Sequence, residues 1–154
     1  MPRVARVQSS SGIYHVMVRG VAQQDIFQDY DDRRRYLRIL ARVVEKYQLT
    51  LYGYCLMDNH VHLLLAQGEE TLGESMKRVG VAYAHGFNGK YGRSGHLFQG
   101  RYRSEAVEDD AYFITALRYI HQNPVKAGLC HDCGGFPWSS YRAYAYGRGQ
   151  LAKL

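Results

Sequence analysis

The sequence predicts an α+β domain, an antiparallel sheet covered by helices. Three observations carry this. Strand-like and helix-like periodicity alternate along the chain in the order strand, helix, strand, strand, helix, strand, helix. The second and third strand segments are joined only by Met57-Asp58-Asn59, a short link that suggests antiparallel neighbours. The 154 residues contain no internal repeat and no linker-like stretch, which predicts one domain over 1–154, a core over about 3–145 and a basic tail over 146–154.

Each element has its local reason. Tyr14-His15-Val16-Met17-Val18-Arg19 has strand composition and ends at Gly20. A helix follows from about Asp29 to Tyr47, capped by Asp29 or Asp31. Its Tyr36, Leu37, Leu40, Val43, Val44 and Tyr47 recur at helical steps, and Arg33, Arg34, Arg38 and Arg42 are predicted to form its solvated face. Leu49 to Leu56 and Val61 to Leu65 are the next two strands. Thr71, with Glu74 three residues on, caps a second helix running to about Asn88. Leu97 to Val107 holds a fourth strand. Asp109 or Asp110 starts a third helix, which Pro124 is expected to stop.

Composition narrows the function classes. No apolar run reaches the roughly 18 residues of a membrane span, and no apolar stretch follows the N-terminal arginines as in a secretory signal; a cytoplasmic protein without membrane contact is expected. Twenty Lys and Arg against 14 Asp and Glu suggest a polyanionic partner, and 14 tyrosines offer stacking surfaces as well as core. Three cysteines make no disulfide framework. Cys130-His131-Asp132-Cys133 has half the spacing of a zinc site but no second Cys-x-x-Cys, so inert thiols are the expected reading.

Chemistry concentrates in two places. In Met57-Asp58-Asn59-His60-Val61-His62, the two imidazoles are two residues apart on a strand and project from one face, half of a divalent metal site. In the third helix Tyr119 and Asn123 are one turn apart. Were that helix to lie over the histidine face, Asn123 would offer an amide oxygen as third ligand and Tyr119 a nucleophile toward a phosphodiester. The spacing is equally compatible with core histidines and a helix-terminal asparagine before proline. His15, His85, His96, His121 and His131 lack comparable spacing and receive no ligand role.

The chain resembles the REP-associated tyrosine transposases, a branch of the single-tyrosine HUH transposases. Ordered landmarks carry the resemblance: Tyr14-His15-Val16 through Arg19-Gly20, Met57 to His62, Gly95-His96-Leu97-Phe98-Gln99-Gly100-Arg101-Tyr102, Tyr119-Ile120-His121-Gln122-Asn123-Pro124 through Leu129, and Trp138-Ser139-Ser140-Tyr141. It implies a ferredoxin-like HUH fold with His60, His62 and Asn123 as metal ligands, Tyr119 as nucleophile, and Mg²⁺ or Mn²⁺ as cofactor. It further implies cleavage and joining of single-stranded or hairpin DNA, by a monomer or a homodimer. Val21-Ala22-Gln23-Gln24 departs from the Asn-Arg pair common in similar proteins, which bears on hairpin affinity.

Candidate DNA contacts are Arg3 and Arg6 in an N-terminal arm, Arg19, Lys77, Arg78, Lys90, Arg93, Arg101 and Arg103. Tyr83 and Phe87 are expected in the core. Two rival functions remain: a hairpin-binding module that no longer cuts, and a metal phosphoesterase of small substrates.

Overall fold

The structure, a computed structural model, describes residues 7–147; Arg3, Arg6 and the tail from 148 onward lie outside the described residues. The elements are β1 (Ile13–Arg19), α1 (Tyr30–Tyr47), β2 (Thr50–Leu56), β3 (His60–Ala66), α2 (Leu72–Tyr91), β4 (Arg103–Ala106), α3 (Asp110–Lys126) and a short α4 (Tyr141–Tyr146). The four strands form one sheet in the order β2-β3-β1-β4, antiparallel throughout. This is the split βαβ order of the ferredoxin-like fold. Among the described residues no helix is long and apolar enough to cross a membrane.

Because side chains alternate along a strand, the register divides the sheet into two chemically different faces. Val16 opposes Leu63 and Val18 opposes Val61. This apolar face is buried and includes Tyr14, Tyr54, Leu56 and Leu65; its Val18 borders a cleft with Met76 and Gly80 of α2. The other face sets Met17 opposite His62, Arg19 opposite His60 and His15 opposite Glu105. Helix α3 lies against β2 and β3 on that side.

Gly53 permits the approach, because a Cβ there would stand 2.7 Å from Cδ1 of Leu117 on α3. A strap from the C-terminal region then fastens the helix. Trp138 O accepts from Leu56 N (2.8 Å), and Ser140 N donates to Tyr54 O (3.0 Å), so the segment runs along β2. Ser140 Oγ bonds Nε2 of His121 on α3 at 2.7 Å. The Trp138-Ser139-Ser140-Tyr141 landmark therefore holds α3 to the sheet.

Asp29 caps α1, its side chain accepting from Asp32 N, and Asp109 caps α3 in the same way through Tyr112 N. Thr71 caps α2, which continues to Tyr91.

Several expectations need correction. Pro124 does not stop α3, which continues to Lys126. In the last turn a missing N–H costs one ladder bond, and the end is made instead by Gly128 at φ +76° with Leu129 N donating to Pro124 O. The fourth strand is shorter than Leu97 to Val107: Phe98 bridges Gly20, the chain turns at Gly100 with φ +55°, and pairing resumes at Arg103. Arg33 is not on a solvated face. It stacks on Phe27 at 5.2 Å and pairs with Asp58 at 2.6 Å, whereas Arg34, Arg38 and Arg42 are exposed.

Candidate active site

His60 and His62 reach the same face of β3 with ring centres 5.0 Å apart. Helix α3 brings Tyr119 to 5.5 Å from the His62 ring and Asn123 Nδ2 to 3.4 Å from His62 Nε2. The four residues that spacing could only suggest are thus assembled at one place. Their exposures differ by function: His62 is 2% exposed, while Tyr119 is 43% exposed and open to a large substrate.

The electrostatics favour neutral imidazoles. Burial, reinforced by His15, His60 and Arg19, pushes His62 down to about 3. Burial also lowers His60, partly offset by a hydrogen bond with Asn123. Neutral rings keep a lone pair for a metal or a donor. His60 Nδ1 bonds Asn59 Oδ1 at 2.7 Å. An amide oxygen only accepts, so this nitrogen carries the proton and His60 Nε2 keeps its lone pair.

No three His, Cys, Asp or Glu side chains among the described residues are grouped to hold a metal ion. The third protein donor beside the two histidines would therefore be the Asn123 amide, which presents its oxygen after a half-turn of the amide group. Two imidazole nitrogens and an amide oxygen are a donor set for a divalent cation whose remaining positions are filled by water and phosphate oxygens.

A cleft of about 420 Å³ opens beside Tyr119 between α3 and the β1–β4 half of the sheet. Arg19 and Arg103 line it, with Glu105 and Tyr112 at its far side. A second cleft shares Met17, Arg19 and Arg103 with the first and adds Gly100 and Arg101. Gly100 and Arg101 in turn border a third, apolar cleft of about 570 Å³ formed by Met76, Phe98, Tyr102 and their neighbours, with Lys77 on its wall. Arg19 and Arg103 thus line the cleft beside Tyr119, Arg101 stands at the rim that the second and third clefts share, and Lys77 lines the third cleft, which opens on the opposite, apolar face of the sheet.

The remaining cations are placed elsewhere. Arg78 pairs with Glu70 at 3.0 Å and covers the Tyr47 ring at 4.4 Å. Lys90 bonds Asp29 at 2.6 Å and Asp32 at 2.9 Å, tying α2 to α1. Arg93 braces the loop after α2 through Asn88, Gln24 and His96 O. Gln24 thus has a structural partner in the segment where the sequence departs from similar proteins. Tyr83 and Phe87 are core, as expected.

Sequence reasoning missed His15 and Lys126. His15 Nε2 lies 3.0 Å from His62 Nδ1, and its ring edge meets Tyr119 at 5.9 Å. Its parity with Arg19 on one strand was readable, but the pairing of β1 with β3 was not. Lys126 Nζ stands 5.6 Å from the Tyr119 ring centre. His121, nearer to Tyr119 in sequence, serves the strap instead.

The polar face of a ferredoxin-like sheet thus carries paired histidines beneath a tyrosine-bearing helix. The family described as "Transposase IS200 like" matches residues 8–123, and the chain belongs to it. A Haemophilus influenzae (strain Rd) protein described as a REP-associated tyrosine transposase is 28% identical over 112 residues, 63% of this chain. The chain spans 61% of that relative's length. Among solved structures, a REP-associated tyrosine transposase bound to a REP hairpin superposes with a TM-score of 0.77 at 16% identity, covering 100% of this chain and 92% of that one. A Deinococcus radiodurans protein described as a transposase gives 0.50 at 19% identity, covering 79% and 97%.

Proposed function

We propose that the protein is a metal-dependent single-stranded DNA endonuclease and strand transferase, acting in the cytoplasm on hairpins such as repetitive extragenic palindromes through a 5′-phosphotyrosine intermediate. The observation that carries this reading is the convergence of Tyr119 and Asn123 from α3 on His60 and His62 from β3. Nε2 of both histidines and Oδ1 of Asn123 would hold Mg²⁺ or Mn²⁺, which when bound polarises a phosphoryl oxygen.

The chain's residues would do the rest. Arg19, Arg101 and Arg103 position the backbone phosphates, and the apolar cleft at Phe98 and Tyr102 accepts bases freed from a duplex. The Tyr119 phenol gives up its proton as its oxygen bonds to phosphorus, the bond from phosphorus to the 3′ oxygen breaks, and the departing 3′ oxygen takes up a proton. The 5′ phosphate stays on Tyr119 until a 3′ hydroxyl reverses the step, rejoining strands without ATP.

The test is incubation with Mg²⁺ or Mn²⁺ and labelled single-stranded hairpin DNA from beside the gene, followed by denaturation. A covalent adduct lost in Tyr119→Phe supports the transferase. Binding without cleavage under either metal would point to a hairpin-binding module, and hydrolysis that survives Tyr119→Phe to a metal phosphoesterase.

A further inference from the structure

We infer that His15 is a positioning residue that accepts the Nδ1–H of His62 and so turns the His62 Nε2 lone pair toward Asn123. The inference rests on the metal-dependent reading above, but its first observable needs no metal. It begins with the 3.0 Å contact between His15 Nε2 and His62 Nδ1.

A hydrogen bond between two neutral imidazoles has two possible directions. Were His15 the donor, His62 Nδ1 would have to accept, and the ring's single proton would sit on Nε2. That nitrogen faces Asn123 and would then be unable to bind a metal. With His62 as donor, Nε2 is free. Asn123 Nδ2, 3.4 Å away, meets a lone pair rather than another N–H. The same tautomer holds in His60, whose Nδ1–H is fixed by Asn59. Both rings therefore offer Nε2, each oriented by a partner behind it, as ligating histidines commonly are.

The fold makes this partner permanent. His15 is two residues from Met17, which pairs directly with His62, so both imidazoles stand on one face of adjacent strands. Their ring centres are 5.2 Å apart. Glu105 faces His15 from β4, and its charge opposes the lowering that burial imposes on the His15 ring. The Tyr119 ring packs edge-on against both imidazoles. His15 consequently orders the ligand ring while bordering the nucleophile.

Long-range ¹H–¹⁵N correlation spectra of the metal-free protein read the tautomer directly. Wild type should show His62 as Nδ1–H. His15→Phe, which keeps a ring but no acceptor, should move His62 toward the Nε2–H form that free imidazoles favour. Titration with Mn²⁺ alone should then give a Kd about 10–100-fold weaker. His15→Gln, whose Oε1 can accept, should restore most of both. An Nε2–H His62 in wild type would overturn the inference, as would a His15→Phe protein with unchanged tautomer and unchanged Mn²⁺ affinity. Absence of Mn²⁺ binding by wild type would instead overturn the metal-dependent reading, and the tautomer would still decide the role of His15.

Discussion

Burial fixes the protonation of two histidines that touch no carboxylate. It pushes His62 down to about 3 and His121 down to about 4, both below the ordinary 6.5. Both rings are neutral when folded, and the unfolded chain takes up protons first as pH falls. Stability of the metal-free protein should therefore be level above about pH 7 and decline as pH drops through the ordinary histidine range. The loss from His121 alone should be about 2 kcal/mol at pH 5. Urea midpoints at pH 7.5 and pH 5 measure it, and equal midpoints would contradict neutral buried rings. At this scale the sequence was legible where a local period sufficed: His60 and His62 share a strand face by parity, Tyr119 and Asn123 a helix face by one turn. It was illegible for His15, whose partner is set by register between strands 47 residues apart. The ion pairs of Lys90 were illegible for the same reason, its acidic partners standing 58 and 61 residues away.

At the scale of elements, the site depends on how closely α3 approaches β2. Gly53→Val would drive side-chain carbon into Leu117 and crowd Ser140 Oγ, which a Cβ would already meet at 3.3 Å. Overpacking of this kind costs about 1–3 kcal/mol. It should also lift Tyr119 and Asn123 from the histidines, so adduct formation should fall further than the loss of folded protein explains. Thermal melts beside adduct yields separate the two effects; a yield that merely tracks the folded fraction would exonerate the spacing. Asp109→Ala removes the cap of α3 and should cost roughly 1 kcal/mol, seen as a shift in urea midpoint. The element order was readable from periodicity, the cap at Thr71 from its spacing to Glu74, and the cap of α1 to within Asp29 or Asp31. The seating of α3 was not, because it rests on one missing Cβ and on a strap arriving from residues 138–140.

For the whole molecule, Arg19, Arg101 and Arg103 line clefts at and beside the Tyr119 site, whereas other cations join helices. Hairpin affinity should fall steeply with salt, and Arg101→Ala or Arg103→Ala should each reduce the slope of log K against log salt by about one. Lys90→Met should lower stability, because it leaves buried Asp32 with a weaker set of partners, while leaving that slope unchanged. A slope insensitive to Arg101 and Arg103 but reduced by Lys90→Met would relocate the DNA path. The net charge of +6 hinted at a polyanion, but total charge carries no address. Only the fold divides cations that face the clefts from those that join helices.

The two-faced sheet has a genetic corollary. Along β1, Tyr14 and Val16 point into the apolar core and half-buried Val18 packs against it, while His15, Met17 and Arg19 point toward the Tyr119 cleft. A saturation scan of this strand, scored for abundance and for DNA joining, should alternate by residue number. Even positions should lose both phenotypes together, whereas odd positions should lose joining with protein levels intact.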